Sequence, residues 1–204
     1  MLVRRSDLVR AIERVPPPPQ PRADLEQVVT PAEAAADLIA GVERWDGLEG
    51  RSVLDLGSGT GRLAIGAALL GARPVTAVEV DPGLVELGRV AAERAGVEVD
   101  FVAMEVSGWN RPAEIVVMNP PFGAQLRHAD RPFWAAALSN ARRSVHAFAL
   151  YDSRTFIARQ VVAAGAHVLE VTPQPWVLPR TFPHHTRRRT VLAVDRWAIR
   201  TETP

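Results

Sequence analysis

From Arg51 to Ile199 the chain changes its hydrophobic period again and again. Short runs rich in Val, Ile and Ala read as strands: SVLDL (52–56), PVTAVEV (74–80), VEVDFVAM (97–104), EIVVM (114–118), VHAFALY (145–151), AHVLEVTP (166–173) and RTVLAVDRWAI (189–199). Stretches with helical spacing separate most of them: GRLAIGAALLG (61–71), PGLVELGRVAAERAG (82–96), PFWAAALSNARRS (132–144) and SRTFIARQVVAAG (153–165). Near-continuous apolar strands joined through helices by short connections require a parallel sheet covered on both faces. The predicted fold is therefore α/β and doubly wound, with a mostly parallel seven-stranded sheet. The last two strands are joined by a polar, basic loop without a helix, so an antiparallel strand is expected at one edge. No internal repeat or second domain is visible, and 204 residues suffice for one core.

The N-terminal quarter is different. Residues 2–14 have helical spacing, and PPPPQP (16–21) must be extended because proline excludes helix from its predecessor. That segment reads as a stiff connector rather than a docking peptide. Thr30–Pro31 then opens a helix over AEAAADLIAGVERW (32–45), with Thr30 as its cap. The expected organisation is a single domain, 1–204, with N-terminal helices and a proline-rich connector over residues 1–45 and the doubly wound core over residues 46–204.

VLDLGSGTGRLAIG places Gly57, Gly59 and Gly61 between a strand and a helix. Such glycines let a ligand approach the backbone closely. Asp55 precedes the first of them by two residues, and a carboxylate there suits a ligand bearing an ammonium group better than a phosphate. S-adenosylmethionine has that group and no phosphate. Glu79, with Val80, ends the second strand, where an acid grips ribose hydroxyls in doubly wound folds. Glu105 and Val106 end the third. Ligands of open α/β sheets bind across these carboxyl edges.

The fourth strand runs into Asn119, Pro120, Pro121 and Phe122 at the same edge. Two prolines cannot continue a sheet ladder, so pairing stops there. The side-chain oxygen of Asn119 and the carbonyl of Pro120 can accept the two hydrogens of an exocyclic amine, held rigidly by the prolines. Phe122 offers a face on which a base can stack.

Charge adds a surface. All 24 basic residues are arginine and the net charge is only +1, so distribution matters more than the sum. LPRTFPHHTRRRT (178–190) gathers Arg180, Phe182, His184, His185, Arg187, Arg188 and Arg189; the loop after the tetrad adds Arg127, His128 and Arg131. Basic residues with an interleaved aromatic suit single-stranded RNA. No run approaches eighteen apolar residues, so no membrane span is expected. The absence of cysteine excludes disulfides and thiolate metal sites, and no metal site is expected. With no signal-peptide core in MLVRRSDLVRAIERV, a cytoplasmic protein is expected.

DLGSGTG, VEVDP and NPPF, in this order, resemble the class I S-adenosylmethionine-dependent methyltransferases that modify amino groups, a Rossmann-like fold. NPPF alone is shared with enzymes acting on guanine N2, DNA adenine or protein glutamine, and a binding module without catalysis is a further alternative. LEQVVTPAEAAADLI (25–39), GAALLGA (66–72), MNPPFG (118–123) and LPRTFPHH are narrower. They resemble the adenine-N6 methyltransferases of archaeal and eukaryotic small-subunit ribosomal RNA. The resemblance implies that Gln27 and Thr30 close over the cofactor, that Asp55, Gly57, Ser58, Gly59 and Gly61 line its methionine part, and that Glu79, Val80, Glu105 and Val106 hold its nucleoside. It implies that Asn119 to Phe122 are catalytic, with Asn119 also touching the cofactor. It further implies RNA, most narrowly ribosomal RNA, as substrate and a small zinc-binding activator protein as partner. Val28–Val29 stand where that family carries Tyr-Pro, Ser58 where Cys is common, and Glu105 where Asp is usual.

Overall fold

The computed structural model describes residues 4–22, 25–123, 128–179 and 189–201. Six helices and nine strands are described: α1 (Arg5–Glu13), α2 (Ala32–Asp46), β1 (Val53–Leu56), α3 (Arg62–Leu69), β2 (Val75–Glu79), α4 (Pro82–Ala95), β3 (Asp100–Ala103), β4 (Ala113–Met118), α5 (Arg131–Asn140), β5 (Ala141–Leu150), α6 (Arg154–Ala163), β6 (His167–Pro173), β7 (Trp176–Pro179), β8 (Arg189–Leu192) and β9 (Val194–Arg200). Seven strands form one sheet in the order β3-β2-β1-β4-β5-β9-β6. β1 through β5 pair in parallel, and β9 pairs antiparallel with both β5 and β6. The reversed strand therefore lies one position in from the edge, and β6 forms the edge itself.

The two-residue period of the central strands sorts their side chains between two cores. Val53, Ile115 and Val117 join one with residues of α1 to α4. Leu54, Leu56, Val116 and Met118 join the other with residues of α5 and α6. α1 docks through Leu8 and Ile12, both buried. Each contributes roughly 1.5–3 kcal/mol by leaving water. Gly66 lets this helix approach, since a Cβ there would come within 3.2 Å of both Ile12 and Ile39.

Two stretches depart from the sequence reading. The helical spacing of 132–144 breaks at Asn140, and ARRS opens β5 instead. The Asn140 amide donates back to the Ala136 carbonyl at 2.9 Å, and Ala141 takes an extended backbone that pairs with Ala113. Arg143 and Ser144 are then held by Asp46 at 2.9 and 2.7 Å. The ladder and a buried carboxylate outweigh helix propensity here. RTVLAVDRWAI, in turn, is divided at Ala193: β8 pairs antiparallel with β7 as a separate two-stranded ribbon, and only β9 joins the main sheet.

Asp46 is the polar centre of that face. It accepts from Arg143 (2.9 Å), Ser144 (2.7 Å) and Arg200 (2.8 Å), and pairs with the His146 ring at 2.8 Å. Burial works to raise its pKa, but hydrogen bonds from His146, Ser144 and Arg143 overcome this and hold the carboxyl well below its usual range.

Candidate active site

A cavity of about 390 Å³ opens at the carboxyl edge of β1, β2 and β4. That size falls within the range of small-molecule and cofactor sites. Five parts of the chain enclose it: the glycine turn after β1, the ends of β2 and β3, the tetrad after β4, residues 128–133 at the start of α5, and an N-terminal strap whose described parts are 15–22 and 25–30.

The glycine turn is built for backbone approach. Gly57, Gly59 and Gly61 all have positive φ, at +68°, +56° and +90°. A Cβ on Gly57 would strike the Phe133 ring at 2.7 Å. Phe133, in the first turn of α5, thus lies over the turn and lines the cavity. The sequence reading missed it, because an aromatic in a helix start looks like any core residue. Gly61 does something other than expected: it caps the start of α3, lies outside the lining, and its missing Cβ makes room for Phe101, which a Cβ would meet at 2.6 Å.

Asp55 is 1% exposed. Its Oδ2 accepts from the Ala64 amide at 3.0 Å, while Oδ1 is buried without a partner. Burial pushes its carboxyl up to about 7, helped by the charge of Glu79 and opposed by the Ala64 N–H. An unpaired buried carboxylate oxygen at a cavity wall is a demand for a cation. A ligand ammonium answers it.

Glu79 receives the Gly59 amide at 2.8 Å on Oε2 and the Asp81 amide at 3.1 Å on Oε1. Each oxygen retains a lone pair for a hydroxyl. Burial raises its pKa as well. Asp81 caps α4 through Gly83 (2.9 Å) and accepts from the Gln27 amide at 3.3 Å. Val80, Glu105, Val106 and Ser58 also line the cavity, and Ser58 Oγ is a second buried atom without a partner. The donors and acceptors present fit a nucleoside bearing an amino-acid tail: hydroxyl acceptors at Glu79, a cation acceptor at Asp55, and apolar walls at Leu84 and Val106.

The strap is bolted down by groups the sequence reading did not single out. Arg62 donates to the Thr30 carbonyl at 2.7 Å and to the Val15 carbonyl at 3.0 Å. Thr60 Oγ1 donates to the Pro16 carbonyl at 2.6 Å. The Gly123 amide donates to Glu26 Oε2 at 2.8 Å, joining the strap to the residue after Phe122. Thr30 does not cap α2: Pro31 holds that position without a side-chain cap. The Thr30 hydroxyl instead accepts from Asn119 Nδ2 at 2.9 Å, and the Val28 carbonyl lies 3.5 Å from the same nitrogen.

Asn119 and Pro121 line the cavity; Asn119 Oδ1 is buried and unpartnered. Pro120 and Phe122 lie outside the lining. Phe122 packs at a tilt against Trp176, ring centroids 5.7 Å apart. His128, with φ +71°, lines the mouth and lies 3.4 Å from the Arg131 guanidinium. Arg131 stacks over Phe156 at 5.1 Å, and Arg154 over Tyr151 at 4.3 Å. Arg127, Arg180, Phe182, His184, His185, Arg187 and Arg188 lie outside the described residues, and Arg189 is described only as the start of β8.

Comparisons with known proteins agree with this geometry. Residues 39–120 match the model of the ribosomal protein L11 methyltransferase (PrmA) family. The rRNA N(6)-adenosine-methyltransferase Mettl5 of Drosophila melanogaster is 30% identical, with 87% of each chain covered. An uncharacterized protein of Methanocaldococcus jannaschii is 29% identical over 92% of this chain and 90% of its own. The crystal structure of a candidate RNA methyltransferase from Pyrococcus horikoshii superimposes with a TM-score of 0.90 at 32% identity, both chains covered in full. The identity and coverage of the Drosophila relative, with the match in fold over the full length of the Pyrococcus chain, show that the chain belongs to the Mettl5 family of class I methyltransferases.

Proposed function

We propose that the protein transfers a methyl group from S-adenosylmethionine to the N6 amino group of an unpaired adenine in ribosomal RNA. One observation carries the reading: Asn119 lines the cavity, its Oδ1 is buried without a partner, and its amide nitrogen is turned toward the strap. The lone pair of an exocyclic amine is delocalised into the base, which makes the nitrogen a poor nucleophile. Asn119 Oδ1 accepts one of its hydrogens, and a backbone carbonyl of the rigid turn that carries Pro120 and the cavity-lining Pro121 accepts the other. The two acceptors favour a pyramidal nitrogen and direct its lone pair, a preorganised arrangement that costs little to form at the moment of reaction. When bound, S-adenosylmethionine supplies an electrophilic methyl group on a sulfonium sulfur. Asp55 Oδ1 holds the ammonium end of that ligand and Glu79 its ribose. The proton of the methylated amine can leave to water, so no general base is required.

The rim favours nucleic acid over a peptide. His128 lines the cavity beside Arg131, Arg131 stacks over Phe156, and Arg154 stacks over Tyr151, so basic groups here are paired with aromatic ones. Tyr151 is 53% exposed and offers a stacking face. A base must leave its helix to reach the cavity, so the adenine is unpaired. Methyl transfer to one RNA hairpin with its adenine in the loop, and to a second with that adenine in the stem, tests the reading. Label appears in the loop adenine only. Equal labelling of the stem, or labelling of guanine instead, overturns it.

Two finer statements belong to the same proposal. A small zinc-binding activator protein docks along β3, an outer strand of the sheet with Met104 just beyond it 38% exposed. Failure of the two purified proteins to co-elute would remove it. The setting is cytoplasmic, as suits a cysteine-free chain acting on ribosomal RNA; recovery from another cell fraction would contradict this.

A further inference from the structure

An asparagine amide carries two donor hydrogens on nitrogen and two acceptor sites on oxygen. Its last torsion is broad and roughly two-fold, so without partners either end can face a ligand. In Asn119 the choice is made by the strap. Nδ2 donates to Thr30 Oγ1 at 2.9 Å and lies 3.5 Å from the Val28 carbonyl, which leaves Oδ1 alone. The strap is not part of the sheet. It is held to the core by Arg62, Thr60 and Glu26, and Pro18 with residues 25–30 also forms a wall of the cofactor cavity.

We propose that Thr30 is a positioning residue that couples cofactor binding to acceptor recognition, by turning the Asn119 amide so that its oxygen faces the incoming amine. A cofactor in the cavity touches the strap and favours its seated position. The seated strap takes both amide hydrogens. With the strap displaced, nothing holds the amide hydrogens away from the acceptor or the oxygen toward it, and the hydrogen bond that fixes the clamp is lost. Linkage requires the converse: an acceptor seated on Oδ1 tightens cofactor binding by the same factor. The inference rests on the amine-clamp reading above, but not on adenine, since any exocyclic or amide NH₂ would meet the same oxygen.

The test uses the full-length protein with Thr30→Val, which keeps the side-chain shape and removes the acceptor, and Thr30→Ser, which restores it. At saturating cofactor and acceptor, Thr30→Val lowers kcat by roughly tenfold, the size of one lost hydrogen bond in the transition state. Thr30→Ser recovers most of it. S-adenosylhomocysteine affinity, measured by calorimetry without acceptor, changes by less than about threefold. In an Asn119→Ala background Thr30→Val costs nothing further, because the residue acts through the amide. A readout independent of turnover is the Asn119 side-chain NH₂ signal in ¹⁵N NMR, identified by its loss in Asn119→Asp. Its hydrogens are protected from exchange in the S-adenosylhomocysteine complex and unprotected in Thr30→Val. Unchanged kcat in Thr30→Val, an equal loss in the Asn119→Ala background, or unaltered NH₂ protection would each overturn the proposal. If wild-type protein labels an amino group other than adenine N6, the substrate reading fails while these ratios still decide the role of Thr30.

Discussion

Cofactor affinity should fall steeply with acid, and Asp55 is the reason. Its carboxyl is fully buried, its Oδ1 has no partner, and burial lifts its pKa from 3.8 to about 7. Below that value the empty site holds a proton that an incoming ammonium must displace. The sign follows: a group raised in the free protein and ionised in the complex weakens binding as pH falls through its free-state pKa, and leaves it level above. Protonation of a group with pKa 7 leaves about 3% ionised at pH ~5.5, so the dissociation constant of S-adenosylhomocysteine should rise roughly 30-fold between pH ~8 and pH ~5.5. Calorimetry in buffers of different ionisation enthalpy should also register about one proton released per ligand bound near pH ~6. Glu79 is shifted in the same direction by burial, so the control is Asp55→Asn, which removes this part of the slope while leaving that of Glu79. A flat profile in wild type, or an identical slope in Asp55→Asn, would refute the assignment of Asp55 to the ligand ammonium.

Arg62→Met should free the strap. Two carbonyl partners of a charged donor are lost, at about 1.5–3 kcal/mol each; limited proteolysis should cut between Val15 and Thr30, and S-adenosylhomocysteine should dissociate faster. An unchanged cleavage pattern would count against the strap. Asp46→Ala should destabilise the fold by about 3–5 kcal/mol by leaving buried cationic and polar partners uncompensated, read by denaturant unfolding. Because the Asp46 carboxyl is depressed, its contribution is present above the unfolded carboxylate pKa and disappears as pH falls below about 4; Asp46→Asn should be correspondingly insensitive to acid in that range. Tyr151→Ala should weaken single-stranded RNA binding by about 1–3 kcal/mol without altering cofactor affinity, measured by fluorescence anisotropy. Equal weakening of both would mean that the rim is structural.

Much of this architecture is legible in the chain because it rests on local rules. Period-two apolar runs and helix-spaced stretches set the α/β order, and glycine or proline punctuation marks where β1 and β4 stop at the site. Asp55, Glu79 and Asn119 stand out because a polar group at the tip of an apolar strand needs a reason. What is not legible depends on contacts distant in sequence. Arg62 looks like a solvated residue in a helix start until the carbonyls of Val15 and Thr30 are brought to it. Phe133 acquires its role only because Gly57 lacks a side chain beneath it. Thr30 looks like a cap, and becomes a partner of Asn119 across 89 positions. The end of α5 at Asn140 is set by Asp46, nearly a hundred residues earlier, which draws Arg143 and Ser144 into a strand.

The central claim is that Asn119 presents an amide oxygen to the N6 amine of an exposed adenine. It is tested most directly by nucleoside mass spectrometry of ribosomal RNA incubated with methyl-deuterated S-adenosylmethionine and either wild-type protein or Asn119→Ala. The account predicts label in N6-methyladenosine with wild type and at least a roughly hundredfold loss with the variant, in line with removal of one preorganised polar partner. Label in guanine or cytosine, or undiminished N6-methyladenosine from Asn119→Ala, would contradict it.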